Sequence, residues 1–131
     1  MNDQSILPLL QKIPIFEHLD ERVHKQIIDN VTLQYYPADY ELFKQGDAGV
    51  EMYIIKNGKV QITKDGREVA VLSNNDFFGE LALVSDAPRN ASAKVIEDSE
   101  ILILKRSDLG LLLANNPEAE EALKKAVIER N

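Results

Sequence analysis

A chain of 131 residues is long enough to bury one core of its own, and having no cysteine it excludes disulfides, thiolate metal sites and thiol nucleophiles. Its net charge is −7, from 15 basic and 22 acidic residues, and no stripe of lysines and arginines could track a phosphate backbone, so direct nucleic-acid binding is not expected. No apolar run approaches the ~20 residues of a membrane span and the first four residues lack a secretory start, which predicts a cytoplasmic protein without membrane insertion.

Residues 1–31 read as an N-terminal helical segment. Ile6 to Leu10 suits a short helix interrupted by Pro8, and Ile13-Pro14-Ile15-Phe16 an apolar connector. Asp20 then caps a second helix, in which Val23, Ile27, Ile28 and Val31 recur at helical spacing.

Across 32–106 the apolar period changes to two, with short strands predicted at 32–36, 40–44, 52–55, 59–64, 68–72, 91–96 and 100–105. Asn57-Gly58 and Asp65-Gly66 suit type I′ hairpin turns, which predicts a three-strand meander. Many short strands divided by turn residues point to a mainly β fold with flanking helices, an antiparallel jelly-roll barrel.

Residues 107–131 return to helix. Ser107 or Asp108 can cap a helix carrying Leu109, Leu111, Leu112 and Leu113, and Asn116-Pro117-Glu118 opens the last one. There Ala119, Leu123, Ala126 and Val127 form one stripe, suited either to packing on the barrel or to acting as a lid.

Catalytic and metal-binding residues are not expected. The two histidines, His18 and His24, lie six apart and face different ways on a helix, and none falls on the strands where a cupin-type metal site needs them. Gly79 permits close backbone approach, and Glu80 to Leu83 can begin a short helix with free N–H groups. Arg89 follows a proline and precedes the small residues Ala91-Ser92-Ala93, and its planar fork matches two phosphate oxygens. A carboxylate such as Glu80 accepts from a ribose hydroxyl, as acids do in dinucleotide sites.

Phe78-Gly79-Glu80-Leu81-Ala82-Leu83 together with Pro88-Arg89-Asn90-Ala91-Ser92 closely resembles the phosphate-binding cassette, residues 78–92 here, of cyclic nucleotide-binding domains. Lys44-Gln45-Gly46-Asp47, Met52-Tyr53-Ile54-Ile55 and Asn57-Gly58-Lys59-Val60 are similar to that family's early strands, so the likeness spans about residues 16–116. Regulatory subunits of cAMP-dependent protein kinase, cyclic-nucleotide-gated channels and the catabolite activator protein carry such domains.

The resemblance implies that Arg89 binds the cyclic phosphate and Glu80 the ribose 2′-hydroxyl, with the backbone of Gly79, Leu81, Ala82, Asn90 and Ala91 on the remaining oxygens. By position Ile62 and Val69 are candidates for the base-facing surface, or else plain core, and Leu123 and Val127 for the lid. The implied ligand is cAMP by first choice or cGMP, sensed on behalf of a protein effector or further domains, with no other cofactor. Asn90 stands where the family often has alanine in cAMP-selective and threonine in cGMP-selective domains. The alternative is a protein-interaction module of the same fold, its pocket empty or holding another small anion.

Overall fold

The computed structural model describes residues 3–13, 16–17, 19–114 and 116–130, apart from the side chains of 3–5, 12, 112 and 130. Helices α1 (Asp3–Lys12) and α2 (Glu21–Asn30) lead into strands β1 (Thr32–Tyr36), β2 (Glu41–Phe43), β3 (Glu51–Lys64), β4 (Arg67–Leu72), β5 (Phe77–Phe78) and β6 (Ser92–Lys105). A short 3₁₀ helix, Glu80–Leu83, follows β5, and α3 (Arg106–Leu113) and α4 (Pro117–Arg130) close the order.

The caps of α2 and α4 form as their residue types require: the Val23 amide donates to Asp20 Oδ1 (3.0 Å) and the Ala119 amide to Asn116 Oδ1 (3.2 Å). Two expectations for the helices need correction. α1 is not interrupted but runs through Pro8; the ~3 kcal/mol that an interior proline costs is offset by burial of Ile6, Leu9, Leu10 and Ile13. α3 begins at Arg106, without a side-chain cap from Ser107 or Asp108, because β6 runs straight into it and the Arg106 amide donates to the Val50 carbonyl at 2.8 Å. Pro14, Ile15 and His18 lie outside the described residues.

Strands β3 and β6, 14 residues each, pair antiparallel along their length. They replace four of the predicted strands, since 52–55 and 59–64 are one strand and 91–96 and 100–105 are another. Asn57-Gly58 is therefore a bend within β3 rather than a hairpin, marked by register shifts and by φ +126° at Gly58. Asp65-Gly66 does make the predicted turn, with φ of 53° and 79° joining Lys64 to Arg67 across the β3/β4 pair. β1 and β2 pair with successive parts of β6, and β5 and β4 with successive parts of β3. The result is an antiparallel jelly roll whose ladder, ordered β1-β6-β3-β4, is not closed by hydrogen bonds.

Parity along the two long strands divides the core. Met52, Ile54, Leu102 and Leu104 face the helices, where they pack with Leu10, Phe16, Ile27, Leu109, Leu123 and Val127. Tyr53, Ile55, Val60, Val95 and Ile101 face the interior of the roll. Covering both faces explains why Met52-Tyr53-Ile54-Ile55 is continuously apolar instead of alternating. Phe77 and Phe78 on β5 split the same way.

Candidate functional site

Arg89 sits at the end of the segment joining the 3₁₀ helix to β6 and is held by backbone on both sides: its amide donates to Asp47 O (2.8 Å) and its carbonyl accepts from Gly46 N (2.7 Å). Its side chain is only 9% exposed. Nη2 donates to Glu51 O at 2.8 Å and Nη1 to Gly79 O at 3.4 Å, while the buried Nε has no partner. Burial lowers the guanidinium pKa from its ordinary value, opposed by Tyr53, Glu51 and Asp47, yet an arginine stays protonated at any physiological pH. The structure thus carries a buried cation with an unused donor.

Three rings support it. The guanidinium lies 4.2 Å from the Phe43 ring centroid and 5.9 Å from that of Tyr53, and Tyr53 stacks on Phe78 at 5.1 Å. The Tyr53 hydroxyl donates to Glu51 Oε1 (2.6 Å); burial first, and that bond second, push its pKa well above the usual tyrosine value. Gly79 takes φ +77°, and a Cβ there would stand 2.9 Å from Arg89 Nη1 and 3.3 Å from Glu51 O. Immediately after it Glu80, 6% exposed, opens the 3₁₀ helix; the Ala82 amide is turned back onto Gly79 O at 3.2 Å.

Phe43, Phe78, Gly79, Glu80 and Arg89 line one cavity of about 210 Å³. Gly79, Glu80, Leu81, Ala82, Arg89, Asn90 and Ala91 all border it, with Ile62 on the wall and Asn90 exposed at the rim. Its volume falls below the ~300 Å³ of a typical small-molecule site.

Val69 is not part of this wall. An undistorted hairpin from the Asp65-Gly66 turn would set it opposite Ile62, on the inner face, but the pairing passes from Thr63↔Glu68 to Ile62↔Ala70. Val69 is the extra residue of that bulge and lies outward, 59% exposed. Leu72 lines the cavity in its place. Leu123 and Val127 are also elsewhere: both are buried in the helical core, and Leu123 borders a second cleft of about 580 Å³ with Leu83, Val84, Leu109 and Leu113. In this arrangement they do not cover the mouth.

Sequence reasoning passed over Phe43, Phe77 and Leu72 on the wall, and Gly49 behind the arginine. Phe43 carried a signal, an aromatic ring one residue before the Lys44-Gln45-Gly46-Asp47 turn. Leu72 had none, because the bulge that turns it inward leaves no mark on the alternation.

The profile of the cyclic nucleotide-binding domain matches residues 33–116. The chain belongs to that family. Over 108 residues it is 32% identical to a cAMP-dependent protein kinase regulatory subunit of Schizosaccharomyces pombe, covering 82% of this chain and 26% of the relative. A cGMP-dependent protein kinase of Caenorhabditis briggsae is 32% identical over 120 residues, 85% of this chain and 16% of the relative. The chain therefore spans about a quarter or less of the length of these two curated relatives. Among solved structures it resembles the N-terminal domain of a transcriptional regulator from Streptomyces coelicolor A3(2), with TM-score 0.81, 31% identity, and 93% and 91% of the two chains covered. Thermus thermophilus catabolite activator protein superposes with TM-score 0.77 at 30% identity, over 90% of this chain and 58% of that one. The family is a ligand-binding domain, and its ligand class is cAMP or cGMP. Among the described residues, no helix of this cyclic nucleotide-binding domain is long and apolar enough to cross a membrane.

Proposed function

We propose that this chain is a cytoplasmic cyclic nucleotide sensor that takes cAMP by preference and cGMP second, and passes occupancy to a protein effector or further domains through its flanking helices. The carrying observation is the buried Arg89 cation, whose Nε–H has no partner while its two terminal nitrogens are anchored on carbonyls. A desolvated donor of this kind costs stability unless an anion completes it. The cyclic phosphate does so, the Glu80 carboxylate accepts from the ribose 2′-hydroxyl, and the backbone at Gly79, Leu81, Ala82, Asn90 and Ala91 follows the remaining oxygens.

Preference for adenine is supported by the wall that remains for the base. Ile62, Leu72, Phe43 and Leu81 are apolar, and among the described residues only Glu80, Arg89 and Asn90 bring polar side chains to the cavity. Guanine carries one more exocyclic polar group to satisfy against such a surface, so its burial costs more.

Calorimetry with cAMP and cGMP on the wild type and on Arg89→Ala tests the reading. Wild type binds, and the variant loses about tenfold to 150-fold in affinity, the equivalent of one charge-assisted bond at ~1.5–3 kcal/mol. Absence of binding by the wild type would sink the sensor; equal binding by the variant would sink the site.

A further inference from the structure

Among the described residues no carboxylate is in contact with the cationic group of this cavity, although Glu51 and Asp47 act on it from farther off. Among the described residues, Arg89 makes no ion pair; its fixed contacts are the carbonyls of Glu51 and Gly79 and the faces of two rings. The Glu51 carboxylate, which follows the same turn, is engaged by the Tyr53 hydroxyl at 2.6 Å. Phe43 is the closest ring, 4.2 Å from the guanidinium carbon, and is backed in turn by Tyr53 at 5.7 Å and Phe78 at 6.0 Å between centroids. Gly49 packs against the same group, for even a Cβ there would fall 2.1 Å from Nε and 2.3 Å from Cζ. The guanidinium thus occupies a slot walled by a ring and an empty glycine position.

We propose that Phe43 is a positioning residue for the ligand: its π face holds the Arg89 guanidinium in the binding orientation before any ligand arrives, in the role a carboxylate counter-ion would otherwise fill. This rests on the reading of Arg89 as the phosphate ligand. The chemical difference between the two supports is decisive. A carboxylate would take up the Nε–H and neutralise the charge, so an incoming phosphodiester would have to displace it. A ring attracts the cation through its quadrupole, most strongly where water is excluded, and leaves every in-plane N–H available. The orientation is thereby settled in advance, and its ordering cost does not fall on the binding step. Phe43 reaches this place because β2 ends at it: the strand pairs with β6 through Phe43↔Ala93, and the chain then turns at Lys44 toward the loop that clamps the Arg89 backbone.

The test combines two readouts on wild type, Phe43→Leu and Phe43→Tyr. In ligand-free wild type, the Arg89 Nε–H proton is displaced by ring current from its position in an unstructured peptide. In Phe43→Leu it returns most of the way, and cAMP affinity falls about tenfold or more, the worth of a desolvated cation–π contact. Phe43→Tyr, which keeps the ring, retains both the shift and the affinity. A wild-type Nε–H proton at the unstructured position overturns the proposal whether or not any variant folds. So does a Phe43→Leu protein that binds cAMP as tightly as wild type, or a Phe43→Tyr protein as weak as Phe43→Leu. Failure of the wild type to bind any cyclic nucleotide is a separate outcome, which removes the ligand and with it the role, while the proton shift still reports whether the ring holds the cation.

Discussion

Gly49 acts through the space it leaves empty. The clash that a methyl group there would make is with the Nε and Cζ atoms of Arg89, at 2.1 and 2.3 Å, the far end of a flexible side chain that can swing aside. Gly49→Ala is expected to lower the melting temperature, because the displaced guanidinium gives up its bonds to the Glu51 and Gly79 carbonyls and its contact with Phe43, and fewer unfolded conformations offset only part of that loss. It also costs function: with the guanidinium displaced, cyclic nucleotide affinity drops tenfold or more by calorimetry. Wild-type affinity in Gly49→Ala would mean that Arg89 does not need this slot. Tyr53 supplies a prediction on stability alone. Its folded-state pKa lies above the ordinary value of 10.0 through burial and the bond to Glu51, so the folded protein keeps that proton longer than the unfolded chain does. The resulting stability is fully present below about pH 10 and is lost as the pH rises from there toward the folded-state value. Melting temperature should fall more steeply between pH 9 and pH 11 in wild type than in Tyr53→Phe, and parallel curves would show that another group controls the alkaline loss.

Gly58 of β3 packs directly against Ser99 of β6, and here a glycine matters to the fold itself. A Cβ at that position would lie 1.9 Å from Ser99 Oγ and 2.7 Å from the Ser99 Cα, and φ is +126°. Ser99 cannot retreat easily, because its buried hydroxyl donates to Glu97 O at 2.7 Å and accepts from the Lys59 amide at 3.2 Å. Gly58→Ala should destabilise by about 2 kcal/mol or more, combining backbone strain with overpacking, measured by denaturant titration. A loss under ~0.5 kcal/mol would show that the two strands can part. The same dipeptide shows where sequence reading stopped. Asn57-Gly58 and Asp65-Gly66 are chemically alike, yet only the second ends a strand, because only there does the following segment pair back on the one before it; at Asn57-Gly58 both halves find their partner in β6. Most strand residues, the helix caps at Asp20 and Asn116, and the meeting of Glu80 and Arg89 on one cavity were legible from residue type and spacing, whereas the two-residue β5 was missed. Strand joins and the facing of Val69 were not, since a bend and a bulge are decided by long-range pairing that leaves no local pattern.

At the scale of the whole molecule, the 3₁₀ helix joins the cavity to the helical core. Glu80, Leu81 and Ala82 line the cavity, while Leu83 belongs to the helical core and borders the cleft with Leu113 and Leu123. A ligand that draws Glu80 and Gly79 toward Arg89 is therefore expected to shift Leu83 against α3 and α4. The cleft of about 580 Å³ between them leaves room for those helices to repack instead of resisting. Val127 and Leu123 are buried already, so the predicted change is a shift of packing at the base of α4, not the folding of a loose tail over the mouth. A ligand can drive that shift only as far as it binds one arrangement more tightly than the other; tenfold preference moves the balance by about 1.4 kcal/mol. Saturating cAMP should accordingly alter amide exchange at Leu83 and along residues 117–130 of α4 severalfold, leave the Asp65-Gly66 hairpin unchanged, and change exchange at none of these places in Arg89→Ala. If α4 exchanges at the same rate with and without ligand while Arg89 still binds it, α4 is a fixed brace for the sheet and the signal leaves the domain by another face.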